Sequence, residues 1–149
     1  VVIPGFVDAH THLIFAGDRA AEFEQRTHGV TYLEILKQGG GILDTVRATR
    51  RADEDTLYRQ ARRRLATMLN HGTTTVEAKT GYGLDTAMEM KMLAVAARLN
   101  RAQPVTIVPT FLGAHAVPPE YASGADAYVD TIVSDMLPAV VEWARDQRA

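Results

Sequence analysis

The sequence predicts an α/β fold assembled from parallel βα units. Three short β-branched runs carry this reading, together with longer stretches between them in which apolar residues recur at helical spacing. Each strand pattern is separated from the next by a helical one, so the connections are right-handed crossovers and the strands lie parallel. Three such units suit either a small open sheet or the first part of a (β/α)8 barrel, which needs roughly 250 residues when complete. Periodicity does not choose between them.

In chain order, the first β-rich run is Val1-Val2-Ile3-Pro4-Gly5-Phe6-Val7-Asp8-Ala9, and it ends in the polar triplet His10-Thr11-His12. Thr31 and Glu34 form a T-x-x-E capping box, with Val30 and Ile35 at the hydrophobic-staple positions, and this predicts a helix start. From Asp53 onward Leu57, Tyr58, Ala61, Leu65, Met68 and Leu69 recur at helical spacing until Gly72 supplies a stop. Arg59 and the run Arg62-Arg63-Arg64 fall off that apolar face and read as solvated. Thr73-Thr74-Thr75-Val76-Glu77-Ala78 is the second strand. Thr86 and Glu89 read as a second capping box, followed by a buried face of Met88, Met92, Leu93, Ala96 and Leu99. Pro104-Val105-Thr106-Ile107-Val108-Pro109-Thr110-Phe111-Leu112 is the third strand, closed by Gly113. Pro109 has no N–H to donate, so a fray or bulge is expected there. A last helix is expected over about 125–147, with Pro138 starting a new segment or kinking it.

Composition excludes several classes of function. The 149 residues fit one domain, and 46% apolar with 23% charged residues can bury a real core. Sixteen basic against 18 acidic residues give a net charge of −2, which argues against a nucleic-acid partner. The absence of cysteine excludes disulfides, thiolate-ligated zinc and thiol nucleophiles. No apolar run approaches the roughly 20 residues that span a bilayer, so no membrane partner is expected. The chain opens without Met or a charged leader, so no signal peptide is expected and the chain reads as a piece of something longer; a cytoplasmic protein is the default expectation.

The chemistry concentrates at the end of the first strand. His10 and His12 stand two apart, so a strand puts both imidazoles on one face, near enough to share an ion. Neutral imidazole suits Zn, Fe, Ni and Cu. An H-x-H pair alone also fits two partly exposed strand-end histidines. Arg19 offers a planar fork for a carboxylate, or a partner for the nearby Asp18 or Glu22. Tyr82 sits between Gly81 and Gly83, and His115 follows the third strand; each is either a site residue or an ordinary loop residue. His28 and His71, beside Gly29 and Gly72, read as helix-end residues without a function. Asp8 and Glu77 read as strand-end groups, Asp8 being placed to orient a histidine.

Pro4-Gly5-Phe6-Val7-Asp8-Ala9-His10-Thr11-His12-Leu13 resembles the first-strand signature of the metal-dependent amidohydrolase superfamily. Three further stretches narrow the resemblance to the imidazolonepropionase family of histidine degradation. They are Phe15-Ala16-Gly17-Asp18-Arg19, Lys79-Thr80-Gly81-Tyr82-Gly83-Leu84-Asp85, and the segment from Pro109 through Gly113-Ala114-His115 to Tyr121; Gly39-Gly40-Gly41-Ile42 also fits. The resemblance implies a TIM-like barrel of which residues 1–149 are the first part, about three βα units. The rest of the barrel and a small β-rich domain would lie outside this chain.

It further implies hydrolysis of 4-imidazolone-5-propanoate to N-formimino-L-glutamate, with one Zn or Fe ion acidifying a water. His10 and His12 would be metal ligands, while Arg19, Tyr82 and His115 would bind the small-molecule substrate. A third His, an Asp ligand and the proton-transfer residues would come from later strands, so no catalytic acid or base is identifiable in this segment. Lys79 matches the second strand rather than the fourth, where some amidohydrolases carry a carbamylated lysine, and is rejected in that role. The chain alone should be inactive and bind metal weakly, and should associate with a complementary segment or as a homodimer. The rival readings are another amidohydrolase, such as a deaminase or a different cyclic-amide hydrolase, and a non-catalytic α/β fragment.

Overall fold

The computed structural model describes residues 1–122 and 124–147. The order is β1 (Phe6–Thr11), α1 (Ala20–Thr27), α2 (Tyr32–Lys37), α3 (Ile42–Arg51), α4 (Glu54–Asn70), β2 (Thr73–Lys79), α5 (Thr86–Ala102), β3 (Thr106–Thr110), α6 (Ala125–Thr131) and α7 (Leu137–Asp146). Short 3-10 turns occupy Gly113–His115 and Pro119–Tyr121. The three strands form one parallel sheet in the order β1-β2-β3, so the α/β class and the crossover connections are as the sequence predicts.

One face of the sheet is sealed by helices. Val76 and Ala78 of β2 and Ile107 of β3 are buried against Leu57, Ala61 and Leu65 of α4 and Met92, Val95, Ala96 and Leu99 of α5. Each fully buried leucine contributes about 1.5–3 kcal/mol of transfer free energy, so these two helices fix the frame on which the loops sit. The alternate residues of β2, Thr75, Glu77 and Lys79, are only partly covered and lie on the other face. Capping follows the expected chemistry at two helices. Thr31 and Glu34 bond reciprocally to start α2, and Asp53 accepts the Thr56 N–H to start α4. At the far end of α4, Gly72 takes a left-handed φ of +91°, which ends the helix and turns the chain into β2.

Several expectations are corrected. Pro109 neither frays nor bulges β3, whose register with β2 runs unbroken from Thr75↔Thr106 to Lys79↔Thr110. Thr110 turns its carbonyl to the Thr80 N–H (2.9 Å), so the alternating Pro109 faces the open edge, where a missing donor costs nothing. The irregularity lies instead between β1 and β2, where register shifts flank Val7 and Asp8. β1 is an edge strand among those described.

The second capping box does not form. Asp85, not Thr86, caps α5 by accepting the Met88 N–H at 2.8 Å, and Glu89 turns away into the interior. Arg64 is not solvated like Arg62 and Arg63. It donates to the carbonyls of Leu13 (3.1 Å) and Phe15 (2.9 Å) with its guanidinium carbon 3.6 Å from the Phe15 ring centroid, and burial lowers its pKa. The last helical stretch is interrupted as foreseen near Pro138, by a π-helical segment at Ile132–Met136 before α7 begins.

Candidate functional site

The predicted residues converge at the C-terminal ends of the three strands. His10 is the penultimate residue of β1 and His12 follows the strand, with ring centroids 5.7 Å apart. His12 stacks on His115 at 4.3 Å, and Tyr82 closes the triangle at 5.1 Å from His12 and 5.4 Å from His115. Phe15 meets Tyr82 edge-on at 6.1 Å. Three segments that are distant in sequence, one at the end of each strand, thus place three imidazoles and two aromatic rings in one cluster.

Arg19 stands beside it. Arg19, Tyr82, Phe15, Asp18 and Thr45 line a hollow of about 260 Å³. The carboxylates that could have neutralised Arg19 are engaged elsewhere. Asp18 accepts the Ala20 N–H at 3.0 Å and Glu22 accepts the Gly41 N–H at 2.6 Å. Among the described residues Arg19 has no ion-pair partner, so its fork is free to take an anion from the hollow. A wider hollow of about 440 Å³ lies between α5, β3 and α7, but its lining holds neither a histidine nor a carboxylate.

Burial sets the protonation of the cluster. It lowers the His12 pKa to about 4, helped by the neighbouring His115, and it lowers that of His115 as well, against the opposing charge of Glu89. Burial also raises the pKa of Tyr82, while Arg19 opposes it, so that hydroxyl stays a donor at neutral pH. His12 Nδ1 lies 3.1 Å from the Thr80 carbonyl oxygen, which can only accept, so Nδ1 carries the proton and Nε2 keeps its lone pair. A neutral imidazole with that tautomer fixed is what a metal ligand requires. Asp8, by contrast, orients the main chain and not a ring: its Oδ1 accepts the His10 backbone N–H at 3.2 Å. Among the described residues no group of three or more His, Asp or Glu could hold an ion, so the pair fits part of a metal site rather than a whole one.

The loops are braced from below. Thr80 is buried and ties the ends of all three strands: its N–H donates to Thr110, its hydroxyl accepts from the Leu112 N–H (2.8 Å) and its carbonyl meets His12. Tyr128 donates from its buried hydroxyl to the Gly113 carbonyl at 2.6 Å, under the turn that carries His115. The His115 Nδ1 itself is buried with no hydrogen-bond partner among the described residues, so its ring is not held by the satisfied loop contact that a structural histidine would make. Gly81 packs on that ring in a left-handed conformation (φ +107°), and a Cβ there would fall 2.7 Å from His115.

Other groups separate from the cluster. His28 Nδ1 lies 2.9 Å from the Glu24 carbonyl and caps α1, and His71 caps α4, as expected of residues without a site role. Lys79 and Thr110 both donate to the Glu77 carboxylate (2.6 and 2.7 Å), which serves the strand ends. Thr45, Thr80 and Glu89 have no sequence signal for a site role: Thr45 is an ordinary polar residue on α3, Glu89 reads as part of a capping box, and Thr80 acts largely through its main chain.

A pH dependence follows. Folding depresses the His12 pKa from 6.5 to about 4, so the protein carries this contribution in full above pH 6.5 and loses it as pH falls toward 4. The thermal midpoint of the metal-free full-length protein is expected to fall across that window, and to fall less in His12→Asn. An identical profile in both proteins would remove His12 as the cause.

Residues 1–141 match the family model described as the amidohydrolase family. Among curated proteins, the chain is 55% identical over 147 residues to one named imidazolonepropionase from Herpetosiphon aurantiacus, covering 99% of this chain and 34% of that protein. It is 59% identical over 141 residues to the imidazolonepropionase of Burkholderia lata (95% and 35%), and 56% over 140 residues to that of Shewanella frigidimarina (94% and 34%). The chain therefore spans about a third of the length of the curated relatives it matches. A family match over nearly the whole chain, on a parallel α/β frame whose first strand ends in the His10–His12 pair, shows that this chain belongs to the amidohydrolase family.

Proposed function

We propose that the protein to which this chain belongs hydrolyses the cyclic amide 4-imidazolone-5-propanoate to N-formimino-L-glutamate in the cytoplasm. These residues would supply the opening part of a (β/α)8 barrel, two metal ligands and much of the substrate pocket. The observation that carries the reading is the juxtaposition of an unpaired Arg19 with the Tyr82–His115–His12 cluster. It places a cation for a carboxylate next to flat, hydrogen-bonding rings suited to a small planar heterocycle. Relatives at 55–59% identity bear the corresponding name.

Arg19 grips the propionate carboxylate, and its planar fork sets the orientation of the chain end. Tyr82 donates from its hydroxyl to the ring, and His115, held neutral by burial, packs on the other side. Phe15 and Tyr82 wall the hollow against bulk water. His10 and His12 would hold one Zn or Fe ion in part, the Thr80 bond to Nδ1 leaving the His12 Nε2 lone pair available. When bound, that ion supplies Lewis acidity and a water acidic enough to serve as nucleophile at neutral pH. In the net hydrolysis the oxygen of water would join the ring amide carbon as the amide C–N bond breaks, and the proton that water gives up would pass to the departing nitrogen through a group outside these residues.

A substrate panel tests this. Full-length protein loaded with metal is offered imidazolone propionate, a hydantoin and a purine. Turnover of the first is expected to exceed the others by orders of magnitude. Turnover confined to the hydantoin or the purine assigns a different amidohydrolase reaction.

A further inference from the structure

The loop that presents Tyr82 is anchored by one buried carboxylate. Glu89, on the first turns of α5, is 1% exposed and accepts three main-chain N–H groups from the loop after β2. Oε1 takes Gly83 and Leu84, each at 2.8 Å, while the Gly81 N–H is shared between Oε1 (3.2 Å) and Oε2 (3.1 Å). Among the described residues Glu89 has no cationic ion-pair partner, so main-chain dipoles satisfy the charge. These bonds bracket Tyr82 on both sides without touching it.

The loop has a shape that it would not hold unaided. Gly81 and Leu84 both lie at positive φ, and Leu84 (+56°) is a fully buried non-glycine residue in the left-handed region. Arg50 supplies a second brace, donating to the Gly83 carbonyl at 2.6 Å, so the segment is gripped from both polarities. A carboxylate is specifically suited to this place. An amide at position 89 could still accept from Gly83 and Leu84, but its NH₂ would face the Gly81 N–H, donor against donor.

We infer that Glu89 is a positioning residue for Tyr82, fixing where the tyrosine hydroxyl meets substrate by holding the main chain at Gly81, Gly83 and Leu84. The inference rests on the proposed function, since it assigns Tyr82 a substrate contact. Glu89 itself touches no substrate. A group that acts this way controls binding geometry, and misplacement of a contact by about 1 Å can cost as much as a hundredfold.

The test is a double-mutant cycle in the metal-loaded full-length protein: Glu89→Gln and Glu89→Asp, each alone and with Tyr82→Phe. Metal content and thermal midpoint are recorded beside KM and kcat. Glu89→Gln is expected to raise KM roughly tenfold or more with unchanged metal content, and Glu89→Asp, which keeps the acceptor charge, by less. In the Tyr82→Phe background the same substitutions should change KM by no more than about twofold, the usual error of additivity. Equal fold-changes with and without the hydroxyl would overturn the inference, because they would mean a general structural role. A KM within about twofold of the parent in a folded Glu89→Gln variant would overturn it too. Should Glu89→Gln not fold, the Glu89→Asp arm of the cycle decides alone by the same criteria.

Failure of the proposed function reads differently: the unmodified protein would not turn over imidazolone propionate at all. In that case amide hydrogen exchange decides whether Glu89 holds the loop. Slow exchange at Gly81, Gly83 and Leu84 that accelerates in a Glu89 variant supports the anchoring, and exchange rates equal to those of the parent refute it.

Discussion

Replacing Arg19 with alanine in the full-length protein is expected to raise KM for imidazolone propionate about thirtyfold while the metal stays bound. The magnitude comes from the environment of the guanidinium. Truncating one partner of a charge-assisted pair costs about 2–5 kcal/mol when the other is left buried and unpaired. Arg19 is exposed on the described surface, so the lower end applies, and about 2 kcal/mol corresponds to that thirtyfold change. Asp18 and Glu22 keep their main-chain partners in the variant, so the fold and the His pair should be undisturbed. Arg19→Lys should recover only part of the loss, because an ammonium cannot make the bidentate contact. Unchanged kinetics in Arg19→Ala would remove this residue from the site.

A larger effect is expected at the histidines. His10→Ala and His12→Ala should each abolish metal retention after dialysis and with it measurable turnover. A catalytic zinc site of this kind has at least three protein ligands, and losing one of so few collapses both affinity and geometry. Of the two, His12 should be the more sensitive, because the Thr80 carbonyl fixes its tautomer and burial keeps it neutral. Atomic emission analysis of the purified variants reads metal occupancy directly. Full occupancy and full rate in either variant would place the ion elsewhere.

Much of the frame can be read from the residues alone, and the misses have physical reasons. α2, α4 and α5 announce themselves through Thr31 with Glu34, Asp53 with Gly72, and the repeating Met92, Leu93, Ala96 and Leu99. α1 and α3 do not. Their N-cap positions, Arg19 and Gly41, make no side-chain cap, α1 buries no residue, and α3 buries two threonines beside Val46, so neither cap nor apolar period marks them. Glu89 illustrates a motif with two solutions. Its spacing from Thr86 fits a capping box, yet the N–H groups of a glycine-rich loop compete for the same carboxylate and win because that loop is buried against it. Arg64 differs from its expected solvated place for a related reason: helical period reports the direction of a side chain, not how far a long one can reach, and this one reaches two carbonyls behind the histidine pair.

The site separates in the same way. His10, His12, Arg19, Tyr82 and His115 stand in short local motifs, and the structure brings them into one cluster with its adjoining hollow. Thr80 has no sequence signal because its part is played by a main-chain carbonyl and by position in the sheet. Thr45 reaches the hollow from α3, an element with no signal of its own.

The most direct test of the central claim is metal removal and return, with content and turnover measured on the same full-length preparation. Protein stripped with a chelator should lose imidazolone propionate hydrolysis. Activity should then return in proportion to Zn or Fe added, saturating at one ion per chain, while stripped His10→Ala and His12→Ala proteins stay inactive at the same metal concentration. Undiminished hydrolysis by metal-free protein, or recovery in the histidine variants equal to that of the parent, would contradict the account.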